Sequence, residues 1–304
     1  MSTATLSCSV VIPTYNRAEL LSHTLASLAG QDMPQDHFEV LVVDDGSSDH
    51  TRSTVEGFRD RLPVRYFFKP DEGYRAAEAR NVGISAARGE ICVFVDSGVM
   101  LHPGCLSAHV AAHRVATAPL AVCGYVYCFE FGDANAASMR ADIDVRDPGG
   151  TIARLAATRR WLDVREAFYA KYTDDFADLP APWLMFWTAD ASARTDLVRS
   201  VGMFDAGIRQ WGCDDLDLGY RLHRAGARVV LERRASAIHY PHEKDSHASM
   251  ALAAAGHQYL ARKYDAPIVQ LLLEFPEVNM LTMNDVARER GIPGTTEPVG
   301  PPAR

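Results

Sequence analysis

Short β-branched runs alternate with helical spacing through the first hundred residues. Ser9-Val-Val-Ile-Pro-Thr-Tyr-Asn-Arg17 opens with apolar side chains on both faces, the pattern of a strand buried within a parallel sheet, and Pro13 is expected to end it. Leu20, Leu21, Leu25 and Leu28 then follow helical spacing between Arg17 and Ala29. A second strand, Phe38 to Val43, runs directly into Asp44-Asp-Gly-Ser-Ser-Asp-His-Thr51. A third strand (Val64 to Phe68) and a basic helix (Tyr74 to Arg88) lead to a fourth strand, Ile91 to Val95, which stops at Asp96-Ser-Gly98. Acids collected where strands end predict an α/β fold with a crevice at the top of its sheet, the topology of a nucleotide-binding half. No GxGxxG follows the first strand and no GxxxxGK[ST] occurs, which sets aside dinucleotide and P-loop readings.

The pattern shifts near Pro119. Ala121 to Phe131 reads as a further strand, and Gly132 to Pro182 is polar and mixed, with Trp161, Tyr169 and Tyr172 among charges. Such a stretch is either an insertion over a site or a surface connection. Pro182-Trp-Leu-Met-Phe-Trp187 gathers aromatic faces that either hold a sugar ring or fill the core. Phe186 is assigned to the core; Trp183 and Trp187 stay open. Trp211 to Gly226 sets Asp214, Asp215 and Asp217 behind a Trp-Gly turn and ahead of a helix carrying Leu216, Leu218 and Leu222. Clustered acids raise one another's pKa, which suits a general base. The plainer reading is that Asp214 or Asp215 caps the helix and Asp217 is a solvated acid of its first turn.

Arg228 to Arg233 reads as a strand, followed by Ala237-Ile-His-Tyr-Pro-His242; residues 250 to 274 are helix-like, and a Gly- and Pro-rich tail beyond Ile292 is expected to be disordered. The division implied is a donor-binding half (1–118), a second half of the same domain that binds acceptor and carries the base (119–249), a helical segment (250–291) and the tail (292–304).

Composition narrows this little: 304 residues, 47% hydrophobic and 23% charged, are ordinary for a globular chain. The net charge of -8 speaks against a broad nucleic-acid surface. Six cysteines without a CxxC pair read as reduced, which points to the cytoplasm. No signal pattern opens the chain and no apolar run approaches the ~18 residues of a membrane span.

In this order the motifs resemble the inverting family 2 glycosyltransferases of the GT-A fold, over roughly residues 7 to 245. The resemblance implies a Rossmann-like, mostly parallel sheet with flanking helices. It also implies transfer of a sugar from a nucleotide-diphosphate donor to a hydroxyl or amine, with inversion. Val10 to Arg17 matches the family's first strand and loop, which puts Pro13, Tyr15 and Arg17 at the donor, Tyr15 against the base. Val42 to Asp49 matches the second, where the Asp45 position accepts a hydrogen bond from the uracil of a UDP-sugar. Ala79-Arg-Asn-Val-Gly-Ile84 with Arg88-Gly-Glu90 matches the helix before the metal strand, Arg80 meeting the donor's base or diphosphate. Val201-Gly-Met-Phe-Asp205 and Trp211 to Leu222 resemble the acceptor-side block, with Asp215 as general base and Trp211 and Asp214, joined by Trp187, at the acceptor.

One departure stands out. The family carries Asp-x-Asp after its fourth strand, and here the stretch is Asp96-Ser97-Gly98, so the last acid is missing. Either Asp96, a histidine and the diphosphate hold a divalent ion between them, or the protein works without one. His239 is the favoured ligand, its alternative being a hydrogen-bonded histidine beside Tyr240 and Pro241. An imidazole among oxygens suits Mn2+ better than Mg2+. Gly98 also motivates a rival, a catalytically impaired nucleotide-sugar-binding protein of the same fold. A sugar nucleotidyltransferase is a second rival, and it calls for a Gly-rich basic loop that Pro13 to Arg17 is not. The acceptor is left among a small molecule, a carrier-bound intermediate and a glycan.

Overall fold

The apolar runs assemble into one eight-stranded sheet in a computed structural model that describes residues 6–132, 134–242 and 246–295, side chains 246–250 aside. Its strands are β1 (Cys8–Thr14), β2 (Phe38–Asp44), β3 (Val64–Phe68), β4 (Ile91–Val95), β5 (Val99–Leu101), β6 (Leu120–Tyr127), β7 (Asp190–Arg194) and β8 (Arg228–His239). They lie in the order β3-β2-β1-β4-β7-β6-β8-β5. The first four are parallel, β7 runs antiparallel to both β4 and β6, and the short β5 runs antiparallel to β8. Buried on both faces, β1, β2 and β4 alternate between two cores: Val11 and Phe94 belong to one, Val10, Ile12 and Val95 to the other.

Helices α1 (Ala18–Ala29), α2 (Thr51–Glu56) and α3 (Ala76–Ala86) flank the first strands, and α4 (Cys105–Val115) packs chiefly against β8. Three more, α5 (Ala136–Ala141), α6 (Pro148–Thr158) and α7 (Glu166–Tyr172), fill the mixed stretch after β6. That stretch is built into the protein: Phe168, Tyr169 and Phe176 are core residues, and the Trp161 indole donates to Asp142 at 2.7 Å. Helix α8 (Thr195–Ser200) precedes α9 (Asp214–Arg224), and α10 (Ser246–Lys263), α11 (Pro267–Gln270) and α12 (Met283–Glu289) close the chain.

Several boundaries differ from those expected. Pro13 does not end its strand, since only its missing N–H is lost and the ladder continues to Thr14 opposite Asp44. The basic helix is shorter at both ends than Tyr74 to Arg88. β6 stops at Tyr127 rather than Phe131, where Cys128 takes a left-handed φ of 59°. The helix over 250 to 274 breaks at Tyr264, ahead of Pro267. β8 outruns its predicted end and reaches His239 after a bulge, where its register on β6 jumps from Gly124↔Glu232 to Tyr125↔Ser236. From residue 296 the tail lies outside the described residues.

Candidate active site

The carboxyl ends of β1, β2 and β4 place three loops side by side. Asp45 N–H donates to the Thr14 carbonyl at 2.9 Å, and Ser97 Oγ donates to the Pro13 carbonyl at 3.0 Å. The two acids after β2 have different work. Asp44 is a fastener, accepting from the N–H groups of Gly46 and Ser47 and from the Tyr66 hydroxyl. Asp45 accepts the Arg75 N–H at 2.9 Å through Oδ2, while Oδ1 is buried without a hydrogen-bond donor and Lys69 Nζ stands 3.5 Å away. Burial raises the Asp45 carboxyl, against the lowering pull of Lys69. Thr14 Oγ1 is a second buried polar atom here without a partner. Unsatisfied buried acceptors are costly in a finished interior and ordinary in a ligand crevice. Tyr15 is exposed at the rim, its hydroxyl donating to Asp71 at 2.9 Å, and Arg17 is exposed two residues on, at the N-cap of α1.

Arg80 joins this crevice to the acidic helix. Its Nη2 donates to Asp96 at 2.7 Å and its Nη1 to Asp214 at 2.6 Å, a partner 134 residues away in sequence, while its guanidinium lies 5.2 Å above the Phe204 ring. Burial alone would favour the neutral form, but the charges of Asp96 and Asp214 hold it firmly protonated. The neighbouring Asn81 exchanges two 2.8 Å hydrogen bonds with the Phe204 backbone, clamping α3 to the loop before α9.

The three acids of α9 then separate by role. Cys213 is the N-cap residue, without a side-chain capping bond, so neither Asp214 nor Asp215 caps the helix. Asp214 is buried against Arg80 and raised by burial, Arg80 opposing. Asp215 is pushed up to about 7, by burial first and the Asp214 charge next. Asp217 is not a solvated acid. It is fully buried and accepts from Arg221, from Lys263 at 2.6 Å and from the Tyr264 hydroxyl at 2.6 Å, fastening α9 to the end of α10.

At the other rim, β5 and β8 pair so that His239 faces Val99, and Tyr240 N–H donates to the Gly98 carbonyl at 2.8 Å. The sheet register thus brings His239 beside the Asp96–Gly98 turn. Gly98 has a φ of 98°, and a Cβ there would sit 3.5 Å from Leu20 of α1. The position is left-handed and its missing side chain points at an apolar neighbour, so the ligand lost from the motif is lost in backbone geometry as well. Next to His239 lies an aromatic wall of Phe129, Phe131 and Trp187, ring centroids 5.4–5.9 Å apart, with the Phe129 ring 5.1 Å from that of His239. Trp187 is half-buried, Trp183 fully buried core, and Trp211 exposed. Phe129, Phe131, Thr14, Lys69 and Arg75 were not singled out from the sequence. The Phe-x-Phe alternation after β6 was the one local signal, and the others act through long-range contacts. A separate groove of about 570 Å³, between α4, α6 and β8, shares no lining residue with the crevice.

The model of the family described as glycosyl transferase family 2 matches residues 9–172. Among curated relatives, validoxylamine A glucosyltransferase of Streptomyces hygroscopicus subsp. jinggangensis (strain 5008) is 34% identical over 263 residues, which cover 86% of this chain and 62% of that protein. Chondroitin synthase of Escherichia coli is 28% identical over 76% of this chain and 34% of its own length. The chain thus spans about three fifths of the first curated relatives it matches. Among solved structures, the mannosyltransferase PcManGT of Pyrobaculum calidifontis, in complex with GDP-Man and Mn2+, superposes with a TM-score of 0.62 at 20% identity, over 93% of this chain and 74% of its own. S. aureus TarS 1-349 in complex with UDP-GlcNAc gives 0.61 at 17%, over 93% and 71%. At those identities the likeness is one of fold, the expected GT-A arrangement.

Proposed function

The chain belongs to glycosyl transferase family 2, and on that premise we propose that it moves a sugar from a UDP-sugar to a hydroxyl or amine of a small polar acceptor, with inversion and with Asp215 as the general base. The observation that carries this reading is Arg80, whose single guanidinium touches both Asp96 at the donor loops and Asp214 at the head of α9. Donor and base elements thereby meet over one crevice.

Each residue then has a task. Asp45 offers its undonated Oδ1 to an N–H of the nucleobase, and Tyr15 covers the base from the rim. The acceptor's oxygen or nitrogen attacks the anomeric carbon, the bond to the diphosphate breaks with its electron pair going to the leaving oxygen, and Asp215 takes the acceptor's proton. A carboxyl poised near 7 is well matched to that transfer, typically worth about 10²–10⁴-fold. Asp214 acts on Asp215 through charge and on Arg80 through its ion pair, a positioning role that leaves little of it for the acceptor. Trp187 and the two phenylalanines beside it give the acceptor a face to stack on, with Trp211 at the exposed edge.

The charge balance favours a divalent ion. Arg80 is already committed to two carboxylates, so the crevice floor carries a net negative charge that repels a diphosphate. Asp96 and His239 are the residues that would hold such an ion, the diphosphate supplying further oxygens. When bound, it would neutralise charge developing on the leaving group. Mn2+ fits this mixed nitrogen and oxygen set, and it accompanies GDP-Man in the mannosyltransferase complex. UDP is preferred on the TarS complex, and a glucosyl donor with a validoxylamine-like acceptor on the 34% relative.

Thermal shift with UDP, GDP and dTDP, each with and without Mn2+, tests the donor half; UDP with Mn2+ is expected to raise the midpoint most, and Asp45→Ala to abolish the rise. Release of UDP from UDP-glucose tests the chemistry. Stabilisation by none of the three nucleotides would overturn the reading, and release undiminished in Asp215→Asn would remove Asp215 as the base.

A further inference from the structure

The core on the α4 face of the sheet holds a set of polar side chains that the transfer reaction does not use. Cys105 and His109 stand four residues apart on one face of α4, and Asp190 opens β7 opposite them, all three fully buried. His109 Nε2 lies 2.9 Å from Asp190 Oδ1, and Cys105 Sγ is 3.7 Å from each of the two Asp190 oxygens. One donor atom from each residue falls within 4.8 Å of the others, the one such group of three among the described residues. We propose that Cys105, His109 and Asp190 form a structural binding site for a zinc-class divalent transition metal, separate from the donor crevice.

The spacing fits the ion. Tetrahedral zinc, with bonds of about 2.3 Å to sulfur and about 2.0 Å to nitrogen and oxygen, sets its S···O edge at about 3.5 Å and its N···O edge at about 3.3 Å. The S···O edge is already within about 0.2 Å of this, the imidazole must open from the carboxylate by about 0.4 Å, and the sulfur and the imidazole nitrogen, within 4.8 Å of each other, must close to about 3.5 Å. The sulfur stands equidistant from the two carboxylate oxygens, a placement that suits a shared cation as well as a forked thiol hydrogen bond. A thiolate and a carboxylate also balance a divalent cation, leaving no net charge in an interior that tolerates none.

The surroundings are those of a ligating histidine. His109 Nδ1 meets Ser192 Oγ at 2.8 Å, and Ser192 meets His113 Nε2 at 2.9 Å. Burial pushes His113 down to about 3, so it stays neutral and can accept from the serine hydroxyl. Where Ser192 accepts from His109 Nδ1–H, the Nε2 lone pair faces Asp190 and Cys105, the orientation of a ligand; where Ser192 donates to Nδ1, Nε2–H donates to Asp190 instead. Metal-bound histidines are commonly oriented through their other nitrogen in this way. A further oxygen is at hand. The bulge in β8 brings the Ala235 carbonyl within 2.8 Å, and Asp190 Oδ2 within 2.1 Å, of where a Cβ on Gly124 would lie, so only glycine leaves that space open. The site would also brace the donor crevice, because Asp190 pairs with Val95, the residue before Asp96.

The full chain, purified without a histidine tag, is expected to carry about one zinc by elemental analysis, or to take one up when equilibrated with Zn2+. Exchange with Co2+ should give the intense near-ultraviolet band of a cobalt thiolate. Cys105→Ser should abolish that band, while Asp96→Asn, which alters only the crevice, should retain it. His109→Gln gives a second loss should the serine variant fold poorly, and the wild-type band stands whatever either variant does. Metal below about a tenth of an equivalent after equilibration would overturn the site. So would a cobalt complex without the thiolate band, the outcome expected if a proton on His109 is the only cation there. None of these readouts depends on sugar transfer.

Discussion

Asp215→Asn is expected to stop transfer and, in the same molecule, to stabilise the fold at alkaline pH. In the native chain, burial and the neighbouring Asp214 charge move the Asp215 carboxyl from its ordinary 3.8 to about 7. Between those values the native state holds a proton that the unfolded chain has released, so stability falls as pH rises through this window and the loss is complete above it. At about 1.4 kcal/mol per unit the whole loss is roughly 4 kcal/mol, of which about 2 kcal/mol falls between pH 5.5 and pH 7. Asparagine has no proton to give up. The gap in unfolding free energy should therefore widen in the variant's favour by about 2 kcal/mol between about pH 5.5 and about pH 8, a matter of several degrees in Tm. Thermal or urea unfolding of both proteins at the two pH values measures it, with UDP release from UDP-glucose run alongside. On the wild type, kcat/KM should climb about tenfold per pH unit below about 7 and then level off. An unchanged gap at the two pH values would refute the half-buried, proton-holding carboxyl, and brisk release by the variant would refute the base.

Arg80→Ala leaves Asp96 and Asp214 facing each other without a cation; denaturant melts should show a loss of about 3–5 kcal/mol, and turnover should disappear with it. Gly98→Asp restores the family's lettering but not its ligand, because the new side chain meets Leu20 from a left-handed backbone. Mn2+ affinity measured by titration should not improve, and stability should drop by about 1–2 kcal/mol. Asp45→Ala should weaken UDP binding at least tenfold by calorimetry; it also removes the oxygen that accepts the Arg75 N–H and the partner of Lys69, so the midpoint of the unliganded protein should fall by a few degrees. Asp217→Asn removes a buried charge shared by Arg221, Lys263 and Tyr264, and should cost about 3–5 kcal/mol.

The sheet was legible because two-sided apolar runs such as Val10–Ile12 and Phe38–Val43 have few other ways to be buried, and the motif acids fall at strand ends as expected. What the sequence hid is pairing across distance. Nothing near Arg80 announces that Asp214 is its partner, and nothing near Asp217 announces Lys263 and Tyr264. An acid in a helix's first turn looks the same whether it is solvated or clamped, since its fate depends on a segment folded over it from some fifty residues on. Gly98 was visible as a missing ligand; its left-handed backbone, which makes the loss more than a change of side chain, was not. Asp190, His109 and Cys105 passed as ordinary strand and helix residues, because only the packing of α4 on β7 brings them together.

The clasp between Asp217 and the end of α10 sets an order of failure. The helix bearing Asp214 and Asp215 is moored through Lys263 and Tyr264, whereas Asp45 and Thr14 rest on strands buried on both sides. Mild heat that frays the final helices would slacken Asp215 before it loosens the crevice around Asp45. On warming, this protein should go on gripping its donor for some degrees after it has ceased to spend it.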